Sequence, residues 1–310
     1  MDISVNWDEK MRFRNEAYND LVSDLILDAF YVDRSNRGKI ASIRQYAEIV
    51  VRKILDLPES EMVTLGNRAI VQKLEQISGN NQLLIRSVDN IRIAGNKCTH
   101  TQETGQVTEE DIRDCVDNLF NIYACIFVLY FQKYKFGSNS EVMSAFSILP
   151  PIIRYLALNE LYDHYPENLS VIDKLSLLLL KAFDKDQAIE WLESRKEKLN
   201  DMLPYTEEGI EEIRNKYGDY VAQQTIDNAP DSMFVVCTDR INKVDEIIKR
   251  NGLLYNNFEQ AKQLYLEKGI LDGDTEEIRG FNSIMEFLYL GRKEEENPNL
   301  DNIGSYTVLN

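Results

Sequence analysis

The residues of this chain best placed for chemistry stand in one decapeptide, IRIAGNKCTH from Ile91 to His100, which gathers a guanidinium, an amide and one of only two histidines. Helical geometry puts Arg92, Asn96 and His100 at i, i+4 and i+8, along one side of a rod. A polar site can be built there, with an imidazole among its members. The same residues have structural readings. His100 could close a helix end, Asn96 after Gly95 could terminate it, and Arg92 on the margin of an apolar stripe could simply pair with Glu48.

The elements that must hold these residues follow from apolar spacing. Leu84, Val88, Ile91, Gly95 and Cys98 alternate by four and three, the stripe of a helix buried along one side. Gly95 costs such a helix up to about 1 kcal/mol relative to alanine, which points to a close helix contact or to a helix end. Upstream, Ala17, Leu21, Leu25 and Ala29 mark a helix over 15–31. Ile40, Ile43, Ala47, Val50, Val51 and Ile54 mark a stronger one that stops at Leu57-Pro58. On its other side Arg44, Glu48 and Arg52 form a ladder of alternating charge, whose plain account is a solvated salt-bridge row. Another helix is expected over 65–77, before a Gly79-Asn80-Asn81 turn. Thr108 reads as an N-cap ahead of Glu109, Glu110 and Asp111. The helix behind it carries LFNIYACIFVLYF, Leu119 to Phe131, apolar on nearly every side, as suits the centre of a bundle or a helix shared with a dimer interface.

KFGSNS, Lys135 to Ser140, is the expected domain boundary. The division expected is an N-terminal arm at 1–14, a helical bundle at 15–136, a linker at 137–140, a second mainly helical acidic domain at 141–291 and a flexible tail at 292–310. Helices are expected over 141–149, 152–163, 169–183, 186–202 and 207–226, punctuated by Pro150-Pro151, Pro166, Pro204 and Pro230, and again over 240–250, 258–268 and 276–290. MFVVC, Met233 to Cys237, is the one short run with strand character. The fold class is therefore all-α.

Bulk properties narrow the function. With 44% apolar residues in 310, the chain can furnish sizeable cores. No apolar run reaches the roughly 20 residues that span a bilayer, and MDISVNWDEK has no signal-peptide pattern, so the expectation is a cytoplasmic protein with no membrane partner. The four cysteines form no CxxC pair, and with two histidines they offer no metal-ligand spacing. No metal site and no cofactor are expected. His164, beside Asp163 and near Glu167, reads as structural. The net charge of −17 is uneven: residues 1–137 carry 17 Lys+Arg against 20 Asp+Glu, residues 138–310 carry 18 against 32. A broad phosphate-binding surface is not expected on the second half, whereas a local basic pocket stays open for the first.

The helix bearing IRQYAEIVVRKIL, with Arg44 one turn before Glu48, followed by a second helix and then IRIAGNKCTH, resembles the HEPN superfamily of all-helical domains over residues 15–136. More narrowly it looks like the HEPN-like family often attached to restriction-enzyme subunits, whose hallmark is an arginine, then Gly-Asn, then histidine. The resemblance implies an antiparallel helical bundle that dimerises, and an RNA- or nucleotide-directed site. It also implies, for active members, metal-independent endoribonuclease chemistry. Carried over by position, His100 would help move the proton of an RNA 2′-hydroxyl, Arg92 would stabilise phosphoryl charge, and Asn96 would position the phosphate or hold the histidine tautomer. Arg44, Glu48 and Lys97 would be binding or orienting residues, with Glu48 turning Arg92 across the helix pair. Seven residues separate Arg92 from His100, a longer interval than the superfamily's nucleases usually show.

Two functions fit this sequence. The first is a dimeric HEPN-like protein of a prokaryotic or phage defence system that cuts or binds RNA. The alternative is a non-catalytic interaction module whose acidic second half, residues 141–291, binds a basic partner or mimics nucleic acid.

Overall fold

Every regular element among the described residues is helical, and no strand forms. The computed structural model describes residues 12–102 and 104–293. Its contacts group the chain into two units: Met1–Lys135 with Ser140–Leu149 and Asn257–Asn310, and Phe136–Asn139 with Pro150–Asn256. This grouping differs from the linear division expected at 137–140. The chain returns to the first unit after residue 256, which local periodicity does not encode.

The first unit begins with a 3₁₀ turn at Asn15–Tyr18, then α1 (Asn19–Ile26) and a wider π turn at Leu27–Tyr31, so the helix expected over 15–31 changes its winding twice. Phe13, inside the expected arm, is buried and stacks on Tyr18 at 5.0 Å. There follow α2 (Asn36–Ile54), α3 (Arg68–Ile77), α4 (Gln82–Thr99), α5 (Glu109–Lys133) and α6 (Ser140–Phe146). Leu65, expected to open α3, is buried in the preceding loop, and Asn67 caps the helix instead, its Oδ1 accepting the Ala69 N–H.

Side-chain pairs fix the helix directions. Asn90–Asn118, Ser87–Asn121 and Asn81–Cys125 run down α4 as they run up α5, so these two helices are antiparallel. Asn36 donates to the Val107 carbonyl and Tyr46 meets Tyr123 edge-on at 6.1 Å, so α2 and α5 run in the same direction. Length and composition alone would let α5 cross a membrane, which its 13-residue apolar run did not suggest. In the fold Leu119, Ile122, Tyr123, Ala124, Phe127 and Val128 are instead enclosed in the bundle core.

The second unit holds α7 (Pro151–His164), α8 (Leu169–Ala182), α9 (Lys185–Glu193), α10 (Lys196–Asn200), α11 (Glu207–Tyr217), α12 (Asp219–Asp227) and α13 (Met233–Asn251). Its core joins Ile153, Leu158 and Leu161 of α7 to Val171, Leu175 and Leu178 of α8 and to Cys237 and Ile241 of α13. The run expected to have strand character, 233–237, is the first turn of α13. Ser232 caps it, and burial recurs at Met233, Cys237, Ile241 and Val244, a helical spacing that outweighs β-propensity. The helix expected over 207–226 divides at Gly218, whose φ of +89° only glycine adopts freely, and the one over 186–202 divides at 194–195.

Helices α14 (Phe258–Lys268) and α15 (Glu276–Tyr289) complete the first unit. On α15, Phe281 and Phe287 are fully buried, and the Glu277 carbonyl accepts from Tyr130 Oη at 3.1 Å. Arg292, placed by sequence in a tail, is 7% exposed, with its guanidinium 4.3 Å from the Phe258 ring and 3.8 Å from Glu259. The rest of that expected tail, 294–310, and most of the expected arm, 1–11, lie outside the described residues.

Candidate functional site

Helix α4 is the element on which the candidate residues depend. Asn81 caps its start, with Oδ1 accepting the Leu84 N–H at 2.9 Å, and Leu84, Val88, Ile91 and Gly95 form the buried face read from the sequence. The helix continues through Gly95 and ends at Thr99. Of the two meanings open for that glycine, close helix contact is the one realised. Arg44 of α2 crosses it, and a Cβ on residue 95 would stand 2.1 Å from Arg44 Cδ.

That crossing leaves Arg44 half-buried. Its Nη2 lies 3.7 Å from Glu48 Oε1, too far for a hydrogen bond, and its buried Nε has no acceptor among the described residues. Glu48 is drawn inward as well. Burial raises its carboxyl above the ordinary range, against the opposing pull of Arg44, the Leu65 backbone N–H and Arg52. Arg92 runs its stem over Gly66, where a Cβ would meet Cδ at 3.0 Å, and gives Nε and Nη2 to Asp89 Oδ1 at 2.8 and 2.7 Å.

The expected Glu48–Arg92 pair across the helices is therefore replaced by two pairs within helices, Arg44–Glu48 and Asp89–Arg92. Asp89 stands three residues before Arg92, a spacing at which helical ion pairs form, and this was the signal that sequence reading passed over. Leu65 and Gly66, which meet Glu48 and Arg92, stand in the loop before α3, where the sequence places the first turn of a helix over 65–77. The line of three also bends at its last member. His100 has left the helix at φ −96° and ψ 135°, is exposed, and among the described residues keeps only its backbone N–H bond to the Asn96 carbonyl at 3.1 Å. Asn96 is half-buried between them.

Lys97 points to a different place. It lines a half-open groove of about 630 Å³ between α4 and α5, floored by Ile40, Ile93, Ala94, Cys98 and Cys115. Arg37 holds one wall by donating to the Lys97 and Gly105 carbonyls, each at 2.7 Å, and the Asn90–Asn118 amide pair spans the two helices. Helix α4 thus presents two sites, an arginine-bearing seam toward α2 and a mixed groove toward α5.

Among the described residues no group of three or more His, Cys, Asp or Glu side chains is arranged to hold a metal ion. His164 closes α7 with Nδ1 2.8 Å from the Glu160 carbonyl. No protein-family model matches this chain, and no curated protein or solved structure matches it either.

Proposed function

We propose that the α2–α4 seam is an anion site directed at RNA or a nucleotide, in a dimeric HEPN-like protein of a prokaryotic or phage defence system. The observation that supports this reading is the state of Arg44. The guanidinium is half-buried with its nearest carboxylate at 3.7 Å, so its terminal N–H groups, in contrast to the enclosed Nε, have donors left for a phosphate oxygen. Arg92 lies on the same helix as the glycine that Arg44 crosses, and the exposed imidazole of His100 follows at the helix end.

In the catalytic form of this reading, His100 takes the proton of a 2′-hydroxyl. The 2′-oxygen then bonds to phosphorus as the bond to the 5′-oxygen breaks, and a proton passes to that leaving oxygen. Arg44 and Arg92 stabilise the added negative charge on the phosphoryl oxygens, and two copies of the seam share one cleft. The test is incubation of labelled single-stranded RNA with purified protein in EDTA. Cleavage to 2′,3′-cyclic phosphate ends that is lost in His100→Ala and weakened in Arg44→Ala and Arg92→Ala, at unchanged helix content, is the expected result. Equal cleavage by His100→Ala would refute the catalytic role, and absence of RNA binding by the unaltered protein would refute the site.

A further inference from the structure

Helices α11 and α12 are short, of 11 and 9 residues, and pack chiefly on each other. Between them they bury only Ile210 and Ala222. Helices of that length are marginal in water, and what normally secures them is packing of an apolar face. Here the apolar side chains at the tip face outward: Tyr220 is 76% exposed, Tyr217 60% and Val221 40%. Tyrosine is enriched in the buried centres of protein interfaces, where its ring supplies area and its hydroxyl a hydrogen bond.

The charge of the same segment says what kind of surface covers it. Residues 203–231 hold seven carboxylates and two cations. Arg214 is consumed internally, pairing with Glu211 and with Asp219 at 3.0 Å across the Gly218 turn. Lys216 lies 5.2 Å over the Tyr217 ring. Glu212 is exposed midway along α11, and Glu207 and Asp231 are exposed at the end of the hairpin away from the aromatic tip, about 15 Å along α11, within the length of one docked helix. Such a surface repels nucleic acid, and it repels a second copy of a chain whose own net charge is −17.

We propose that the α11–α12 hairpin is a docking surface for a basic protein segment, one that sets an apolar side chain against Tyr217, Tyr220 and Val221 and its cations against Glu207, Glu212 and Asp231. This surface is independent of the α2–α4 seam, and either can fail without the other.

The full-length protein is titrated against three fluorescent peptides: an amphipathic Lys/Leu helix, the same composition scrambled to destroy its apolar face, and a Glu/Leu counterpart. Anisotropy is read at low and physiological salt. The Lys/Leu helix should bind, with the scrambled peptide at least tenfold weaker and the Glu/Leu peptide not binding. The triple variant Tyr217→Ser, Tyr220→Ser, Val221→Ser should lose at least tenfold in affinity. Glu207→Gln with Glu212→Gln should flatten the salt dependence. Hydrogen exchange in α11 and α12 should slow in the complex, which a diffuse charge effect elsewhere would not produce. Equal binding by the triple variant at unchanged helix content overturns the proposal, as does equal binding of the scrambled peptide. A self-association seen by sedimentation that the same triple variant abolishes also overturns it, since the face is then covered by a second copy.

Discussion

Arg44 lies across Gly95 so closely that a Cβ at residue 95 would stand 2.1 Å from its Cδ and 2.8 Å from its Cβ and Cγ. The Arg44 Cβ is fixed to the α2 backbone, so rotation of the side chain cannot relieve the whole overlap and the two helices must part. Alanine gains about 1 kcal/mol of helix propensity, whereas overpacking of this kind costs about 1–3 kcal/mol. Gly95→Ala is therefore expected to lower stability by about 1 kcal/mol net, read as a lower urea midpoint at unchanged slope. Arg44→Ala in the same chain removes Cγ and Cδ and should recover part of the loss. Strict additivity of the two substitutions would contradict the contact.

Lys53 gives the first unit a pH signature. Its ammonium donates to Ser283 Oγ at 2.7 Å and to Asn15 Oδ1 at 3.1 Å, and sits 5.0 Å over the Phe13 ring. Burial brings its pKa down from 10.5 to about 8, against the attraction of Asp56, Glu286 and Glu16. Between those values the unfolded chain holds the proton that the folded one has released, so stability rises with pH across that window. Relative to Lys53→Met, the unaltered protein should gain about 1–2 kcal/mol from pH 8 to 10, after allowance for solvent at the half-buried group. Urea unfolding of both proteins at several pH values measures it, and parallel curves would rule it out.

The buried stripe of α4 was legible from Leu84 to Gly95 because those members contact the core through local helical geometry, and four-and-three spacing records that directly, whereas Cys98, counted in the same stripe, is half-buried in the α4–α5 groove. What the site residues do with their charges was not legible in the same way. Arg92 had two carboxylates within plausible reach, Glu48 across the seam and Asp89 one turn back, and only the path of its stem over Gly66 decides between them. His100 fits the helical line by count, yet the chain turns extended at that residue. The return of α14 and α15 to the first unit was invisible for a different reason. An amphipathic helix carries its pattern whichever core it joins, so neither Phe281 nor Phe287 announces that it belongs with Tyr46 and Phe127.

Thr108 is the N-cap that the sequence suggests at the start of α5, and Asp111 makes that cap reciprocal. Thr108 Oγ1 accepts the Asp111 N–H at 3.3 Å, and Asp111 Oδ2 accepts the Thr108 N–H at 2.7 Å. These bonds hold the Asp111 carboxyl below the ordinary carboxylate range, the Thr108 backbone contributing most. Thr108→Ala should cost about 1 kcal/mol in global stability, since the cap serves the central helix of the bundle. Thr108→Ser should recover most of it. A Thr108→Ala protein whose urea midpoint matches the unaltered chain would show that the acidic first turn alone secures this end.

The four thiols should react in an order set by burial. Cys98 is half-buried in the α4–α5 groove, Cys115 meets the floor of the same groove but is only 2% exposed, and Cys125 and Cys237 are buried. Burial, with a smaller push from Cys98, Asp114 and Asp111, raises the Cys115 thiol to about 12. Burial likewise raises Cys237 to about 12, against a hydrogen bond to Ser176. Only the thiolate attacks an alkylating reagent, and each unit of pKa above the working pH removes about a factor of ten in thiolate population. Cys98 is raised too, so it should react more slowly than a free thiol, but it has the groove as an entry path. Iodoacetamide at pH 8 should therefore modify Cys98 alone in the folded protein and all four residues in urea, as read by peptide mass spectrometry. A Cys98 rate that falls in Asn90→Trp, which places a large ring in the groove, would tie the reactivity to that opening. Labelling of Cys115 as fast as Cys98 without denaturant would mean that the α4–α5 seam opens far more often than its packing allows, and equally fast labelling of Cys237 would mean the same of the core around α13.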